Sequence, residues 1–293
     1  MNHEHKDSLL SHLFGFKDIK NTRAGWVDIV KGIAIVLVVY RHILIGIERA
    51  ALEIHPYYLA ANEVVYSFRM PLFFMLSGMF FQKSISKRSP KAYLENKVRT
   101  LLYPYVLWSA IIISLQLLLN DYVNANRSIV DYTFILTAPR AIDQMWFLFA
   151  LFNISILYAI LYHLTRKNIW TLFFISLLMV GVKDFITVDP IMEVFNYFIY
   201  FSIGALISTY MLNTAFINKI KKLKFLLILL PPFIITQWYW LAHSDINPYL
   251  FVIVSLIGSA VVILFSILIQ EKTIQSFCVL SAYILCPFIF CIQ

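Results

Sequence analysis

Residues 26–46, WVDIVKGIAIVLVVYRHILIG, form the stretch that decides the fold. The run is long enough to cross a bilayer as a helix, which takes about 20 mainly apolar residues. It nevertheless carries three ionisable residues, Asp28, Lys31 and His42. Because an ionisable group inside a membrane helix costs roughly 2.5–3.5 kcal/mol on insertion scales, these residues indicate a functional role for the helix.

The spacing of the three residues gives this helix a polar stripe. Lys31 and His42 are 11 residues apart. That separation is about three turns, so the two side chains share one face at depths that differ by roughly 16 Å. Asp28 lies three residues before Lys31, within reach of a side-chain pair. The stripe therefore has an acid–base pair near the start of the helix and an imidazole near its far end.

The composition is typical of a polytopic membrane protein. Hydrophobic residues make up 60% of the 293 residues and charged residues only 14%, whereas soluble domains are about 45–50% apolar. Basic residues outnumber acidic ones by 24 to 16, but they lie in alternate loops, so we expect no nucleic-acid partner. Neither the three cysteines nor the histidines and acids have metal-ligand spacing, and we expect no metal.

Hydropathy predicts an all-helical transmembrane bundle with nine spans, at residues 26–46, 59–81, 98–119, 145–163, 169–186, 191–211, 225–241, 249–269 and 274–293. Most lysines and arginines fall in alternate connections, namely the N-terminal tail, residues 83–99, 166–167 and 219–224, and Lys272. By the positive-inside rule these connections face the cytoplasm. We therefore predict a cytoplasmic tail at residues 1–24 and one transmembrane domain at residues 25–293, with Lys31 toward the cytoplasm and His42 toward the external face.

Four motifs follow one another along the chain: DIVKGIAIVLVVYRH at 28–42, FRMPLFFMLSGMFF at 68–81, KVRTLLYPYVLW at 97–108 and WFLFAL at 146–151. In this order they resemble the acyltransferase-3 family of integral membrane O-acyltransferases, and most closely the branch whose first helix reads Asp-x-x-Lys-Gly-Ile. The resemblance extends from about residue 24 to the end of the chain.

The resemblance implies transfer of an acyl group, usually acetyl from acetyl-CoA, to a hydroxyl of an extracytoplasmic glycan, peptidoglycan or lipid-linked sugar. Acyl-CoA is then a donor substrate, with no permanently bound cofactor, and the protein lies in the cytoplasmic (inner or plasma) membrane. The family has about ten helices, whereas the ninth span here stops at Gln293 without a polar tail. This ending predicts a truncated chain or a missing final helix.

Three candidate catalytic residues lie on the first helix. His42 matches the family's first-helix histidine, and an imidazole with a pKa near 6.5 is suited to take the proton of an acceptor hydroxyl. Lys31 stands where many members carry arginine, and we expect it to bind a phosphate or a carbonyl oxygen with Asp28 as its partner. The alternatives are an interfacial histidine that is packed near the helix end and a lysine that snorkels to the inner interface.

The other candidate residues are expected to bind substrate. Lys97 and Arg99 resemble the family's paired basic residues and would meet the phosphates of acyl-CoA, unless they are ordinary positive-inside charges. Arg69 stands where relatives often have histidine; it would bind the glycan, stabilise charge on the thioester oxygen, or pair with Glu63 or another helix. Trp146 matches the family's Trp-Phe-Leu and would line or brace the cavity, or belong to an aromatic belt.

Some features depart from the family pattern and keep two rivals open. Cys286, like Lys31 and Arg69, differs from the common family residue, which leaves room for a non-catalytic assembly partner of a polysaccharide machine. Intramembrane cations would equally suit a transporter or exporter of small anions or glycan precursors. Ser77 offers a hydroxyl, but the pair Ser77–Gly78 is more typical of close helix packing.

Overall fold

The computed structural model of the chain describes residues 25–119, 127–142, 145–243 and 245–270. Every regular element among these residues is helical, and no strand occurs in them. The predicted all-helical class is therefore confirmed.

The first half of the bundle contains two long helices followed by a bent third one. The elements are α1 (Gly25–Arg49), α2 (Pro56–Met79), α3 (Phe81–Ile85), α4 (Pro90–Lys97), a π-helical segment (Val98–Leu102) and α5 (Tyr103–Leu118). A connection follows that contains a 3-10 turn (Ile129–Thr133), α6 (Phe134–Thr137) and a second 3-10 turn (Pro139–Ile142).

The second half contains the longer helices α7 (Trp146–Leu164), α8 (Ile169–Val182), α9 (Asp189–Met211), α11 (Leu223–Ala242) and α12 (Pro248–Ile269), with a short α10 (Thr214–Ile220) before α11. A 3-10 turn, Lys183–Phe185, follows α8. Asparagine side chains cap α8, α10 and α12 by accepting backbone N–H bonds at their first turns.

Helices occupy the positions of the first eight predicted spans. Six of the described helices are long and apolar enough to cross a membrane: α1, the continuous Pro90–Leu118 segment, α7, α9, α11 and α12. α8 has 14 residues and is about 21 Å long, shorter than a hydrocarbon core of roughly 30 Å. The predicted N-terminal tail, the ninth span and the three cysteines lie outside the described residues, so the nine-span count and the orientation stay predictions.

The helices run alternately in opposite directions, so the bundle has two chemically different ends. We call the end at which α1 begins and α2 finishes the basic end, because residues 83–99, 166–167 and 219–224 lie there. We call the other end, which carries residues 127–142 and the 3-10 turn Lys183–Phe185, the loop end. Which side of a membrane each of these two ends faces stays a prediction.

The tightest packing in the bundle is between α2 and α9. A Cβ on Gly78 of α2 would overlap the backbone carbonyl of Phe201, and a Cβ on Gly204 of α9 would overlap the backbone carbonyl of Met75. Small residues allow such backbone-to-backbone approach in membrane helices. The packing interpretation of Gly78 is therefore confirmed, and the neighbouring Ser77 donates its hydroxyl to the carbonyl of Phe73 at 3.0 Å.

We expect Gly204→Val to destabilise the fold by about 3 kcal/mol or more, because the added side chain meets backbone rather than a movable side chain. The measurement is the melting temperature of the purified protein in detergent. Gly46→Ala is the matched control, since nothing lies within 4 Å of a Cβ there. An unchanged melting temperature for Gly204→Val would contradict this account of the α2–α9 contact.

Candidate functional site

The polar stripe of α1 lies against α2, which runs antiparallel to it. At the basic end, Lys31 is only 6% exposed, and its Nζ lies 6.0 Å from the centre of the Phe80 ring. At the other end of the helix, the Tyr40 hydroxyl donates to the Tyr58 carbonyl at 2.8 Å. Asp28 and His42 are both half-buried. The first helix thus carries a buried lysine and a partly accessible histidine about 16 Å apart along its axis.

Arg69 occupies the middle of this α1–α2 seam. Its side chain is buried, and its Nη1 donates to the carbonyl of Leu37 at 3.2 Å. One turn further along α1, the guanidinium of Arg41 lies 5.9 Å from the centre of the Tyr66 ring. The suggested ion pair between Arg69 and Glu63 does not form, because the Glu63 carboxylate accepts instead from the side chain of Asn62 at 3.4 Å.

Lys97 joins Lys31 at the basic end. The side chain of Lys97 is 9% exposed, and its Nζ lies 5.5 Å from the centre of the Tyr93 ring. The Tyr93 ring meets Phe81 edge-to-face at 6.1 Å, and Phe81 follows the Phe80 that Lys31 covers. Each of the two buried lysines therefore lies near an aromatic ring at the basic end.

Arg99, which the sequence analysis groups with Lys97 in phosphate binding, differs from it in burial. Arg99 is exposed and belongs to the π-helical segment Val98–Leu102, which begins directly after Lys97. π-helical insertions are rare and frequently occur at functional sites, because they rotate the following residues relative to a regular helix. Lys97 and Arg99 are two residues apart and so face roughly opposite sides of the helix, with Lys97 toward the bundle and Arg99 at its surface.

A buried ion pair that the sequence did not predict organises the loop end. Arg140, in the turn before α7, forms a two-pronged pair with Glu193 of α9; its Nη2 donates to Oε2 at 2.9 Å. The side chain of Glu193 is 2% exposed and that of Arg140 38%. Burial alone would lower the pKa of Arg140, but the bonds and charge of Glu193 outweigh burial and raise it. The guanidinium is therefore fixed in its charged form.

Aromatic rings surround this pair. The guanidinium of Arg140 lies 4.2 Å from the centre of the Trp146 ring, a distance at which cation–π attraction is strong. Trp146 also packs against Tyr197, at 5.6 Å between ring centres, and Tyr197 stacks on Phe74 of α2 at 4.5 Å. Trp146 thus braces Arg140 and Tyr197.

The connection before α7 is fixed to the bundle at further points. The Tyr105 hydroxyl of α5 donates to the Ile135 carbonyl at 2.6 Å, and Arg127 donates to Gln116 of α5 at 2.8 Å. The Ser128 hydroxyl bonds the carboxylate of Asp131 at 2.9 Å. This bond, with the bond and charge of Arg127, holds the pKa of Asp131 below its ordinary value. Hydrogen bonds therefore attach the described part of the connection, residues 127–142, to the bundle.

A cavity of about 300 Å³ opens beside the Arg140–Glu193 pair at the loop end. Its wall combines aromatic rings with a few polar groups: Tyr66, Tyr197, Tyr200, Trp240, Phe251, Arg140, Lys183, Asn196 and Asp245. Mixed walls of this kind hold small organic molecules by stacking and by a small number of directed hydrogen bonds. His42 is not among the residues that line it.

A second opening, of about 470 Å³, lies at the basic end. Its lining includes Lys83, His163 and Lys167, with Gln82, Ser86 and Tyr162. Among the described residues, no group of three or more histidines, cysteines or acids is placed to hold a metal ion. The two ends therefore offer different surroundings, cationic at one and mixed aromatic and polar at the other.

Sequence reasoning missed Arg140, Glu193 and Tyr197. Glu193 carried a signal, because an acid in a predicted membrane helix needs a partner. Its partner lies 53 residues away in sequence, and several arginines were available in the intervening and flanking loops. Only the packing of α9 beside α7 brings these two side chains together.

A family model described as an acyltransferase domain matches residues 24–290. The nodulation protein NolL of Mesorhizobium japonicum is 26% identical over 169 residues. That alignment covers 57% of this chain and 43% of NolL, so the chain spans less than half the length of that relative. No solved structure matches the chain significantly.

We expect Glu193→Gln to destabilise the protein by about 1–2 kcal/mol, less than a fully buried pair would lose, because water can reach Arg140. The measurement is a double-mutant cycle of melting temperatures with Arg140→Gln and the double variant. If Arg140 and Glu193 act as a pair, the double variant loses less stability than the two single losses together. Simple additivity would show that they act independently.

Proposed function

The chain belongs to the acyltransferase-3 family, and on this premise we propose how a membrane acyltransferase of this sequence works. It moves an acetyl group from acyl-CoA at the basic end to a hydroxyl of a cell-surface or lipid-linked carbohydrate at the loop end. The basic end is the cytoplasmic side in this proposal. The supporting observation is the arrangement of one continuous helix, α1, which carries buried Lys31 at one end and half-buried His42 toward the other.

The donor side of the proposal rests on the two buried lysines. Acyl-CoA carries several phosphate groups, and charge-assisted hydrogen bonds from cations are the strong contacts that such groups make. Lys31 and Lys97 lie at one end of the bundle, Lys31 near the ring of Phe80 and Lys97 near the ring of Tyr93. A lysine that is buried beside aromatic rings loses hydration, so its attraction to an arriving phosphate is stronger than that of a lysine in water. Arg99, at the surface, makes the first contact.

The acceptor side rests on the cavity at the loop end. Sugars present apolar ring faces and many hydroxyls, and tyrosine and tryptophan rings with a few amide and charged groups complement both. The wall offers Tyr66, Tyr197, Tyr200 and Trp240 for the ring faces and Asn196 for the hydroxyls. The Arg140–Glu193 pair keeps the position of the wall fixed, so the acceptor meets an ordered surface.

His42 acts as the general base in this proposal. Its neutral imidazole takes the proton from the acceptor hydroxyl as the oxygen attacks the acyl carbonyl. The carbon–sulfur bond of the thioester breaks, and the CoA thiolate leaves and is protonated. The same proton must be removed whether the acyl group passes directly or through an acylated intermediate. Lys31 and Asp28 serve the donor side, about three turns away along the helix.

We expect His42→Ala to reduce acetyl transfer by about 100-fold or more, since general-base catalysis contributes roughly 10²–10⁴-fold. The measurement is incorporation of label from radiolabelled acetyl-CoA into surface glycans of membranes that contain the variant. His243→Ala is the matched control, because His243 is an exposed histidine at the same end of the bundle. A well-folded His42→Ala protein that transfers at the normal rate would exclude His42 as the base.

We expect Lys97→Gln to raise the KM for acetyl-CoA by about 10-fold, because one charge-assisted bond contributes roughly 1.5–3 kcal/mol. The KM for the acceptor should not change. Steady-state kinetics with each substrate varied in turn separates the two effects, and Lys91→Gln serves as control because Lys91 is exposed and forms a pair with Glu95. An equal change in both KM values would argue against a donor site at Lys97.

The rival function, transport of small anions, is favoured by one observation. Lys31, Arg69 and Arg41 follow one another along the α1–α2 seam, which an anion path would also use. The same labelled experiment separates the two functions. An acyltransferase leaves label covalently attached to a carbohydrate, whereas a transporter moves a solute without forming a new bond.

A further inference from the structure

Arg69 is a buried cation with few protein partners. Its side chain is 4% exposed, and a guanidinium offers five N–H donors. The bond that the described part of the chain supplies is the one from Nη1 to the backbone carbonyl of Leu37. A backbone carbonyl satisfies one donor but carries no charge, so this bond leaves the positive charge of the guanidinium without a counter-charge. Buried charges of this kind are normally paired with an opposite charge.

A second cation lies beside it. Arg41 is close enough for its charge to repel that of Arg69, and its own contact is the face of the Tyr66 ring. Among the described residues no carboxylate forms an ion pair with either arginine. Glu63 bonds to Asn62 and attracts Arg69 without forming an ion pair with it, and Glu193 is bonded to Arg140. Two neighbouring cations in a poorly hydrated seam repel each other unless an anion lies between or beside them.

The position of the two arginines relates them to the candidate site. Leu37 and Arg41 are one turn apart on α1, and His42 follows Arg41 directly. Tyr66, whose ring Arg41 covers, is also part of the cavity wall at the loop end. Arg41 thus lies next to His42 in the sequence and against one residue of the cavity wall. Lys31, on the donor side, is six residues earlier than Leu37, about 9 Å along the helix axis.

We propose that Arg41 and Arg69 form an anion subsite that binds a negatively charged group, a carboxylate or a phosphate, of the carbohydrate acceptor. This inference rests on the proposed function and deepens it, because it assigns the acceptor to the acidic or phosphate-bearing sugars. Guanidinium groups suit this task, since their fork of donors matches the two oxygens of a carboxylate or phosphate. The anion neutralises the two arginines and, at the same time, places a sugar hydroxyl near His42.

The test compares acceptors that differ in charge. Full-length protein in detergent or vesicles receives radiolabelled acetyl-CoA with a neutral glycoside, the uronic acid glycoside of the same ring, or the corresponding sugar phosphate. We expect a higher kcat/KM for at least one anionic acceptor than for the neutral one. Whichever anion is preferred tells whether the recognised group is a carboxylate or a phosphate.

Variants then assign the preference to the arginines. Arg69→Gln is expected to raise the KM for the anionic acceptor by about 10- to 100-fold, as loss of one charge-assisted bond predicts. The KM for acetyl-CoA and the rate with the neutral glycoside should change little, and Arg69→Lys should recover part of the preference. Lys87→Gln, which removes an exposed charge at the basic end, is the matched control. If Arg69→Gln does not fold, Arg41→Gln, at a half-buried position, takes its place.

The outcomes separate this proposal from the proposed function. Equal transfer to neutral and anionic acceptors, with Arg69→Gln slowing both alike, would overturn the subsite but leave the acyltransferase in place. If no carbohydrate is labelled, the proposed function fails, and the subsite is then judged by binding of inorganic phosphate. Stabilisation by phosphate that is lost in Arg69→Gln but kept in Lys87→Gln supports the subsite, and identical behaviour of all three proteins overturns it.

Discussion

The contact between α2 and α9 is the constraint on which the rest of the bundle depends. Gly78 and Gly204 let the two helices approach until backbone carbonyls face the space where side chains would stand. In a membrane, where lipid is as apolar as the helix surfaces, such close packing supplies much of the force that holds helices together. Because α2 is fixed to α9 on one face, its other face is available for α1.

Both candidate regions follow from that arrangement. Toward α1, the second helix presents Arg69 and Phe80, which meet Leu37 and Lys31. Toward α9, it presents Phe74, which stacks on Tyr197 and so supports the wall of the cavity. A shift of α2 along its axis would therefore disturb the surroundings of Lys31 at the basic end, the arginine pair and the cavity together. The spacing between the two ends of the site is set by helix geometry and is not adjustable by loops.

The buried charges in the bundle fall into two kinds, which differ in how the free-energy cost of burial is offset. Arg140 and Glu193 neutralise each other, and the aromatic ring of Trp146 adds to the attraction. Such a pair needs no ligand to balance its charges, and it can hold the wall of the cavity in place. Arg69 and Arg41 form no ion pair with an acid among the described residues, and this difference is the observation behind the proposed anion subsite.

The sequence by itself determined the helical class, the order and approximate ends of the helices at the first eight predicted spans, the family motifs and the packing role of Gly78. These properties depend on the length of apolar runs, the local spacing of residues and residue size, all of which are visible in the amino-acid sequence. Tertiary structure alone decided that Lys97 and not Arg99 is buried, because the two residues face roughly opposite sides of the helix and only packing selects which side meets the bundle. It alone paired Arg140 with Glu193 and left Arg69 against a backbone carbonyl, since contacts between distant helices depend on packing that no local pattern encodes.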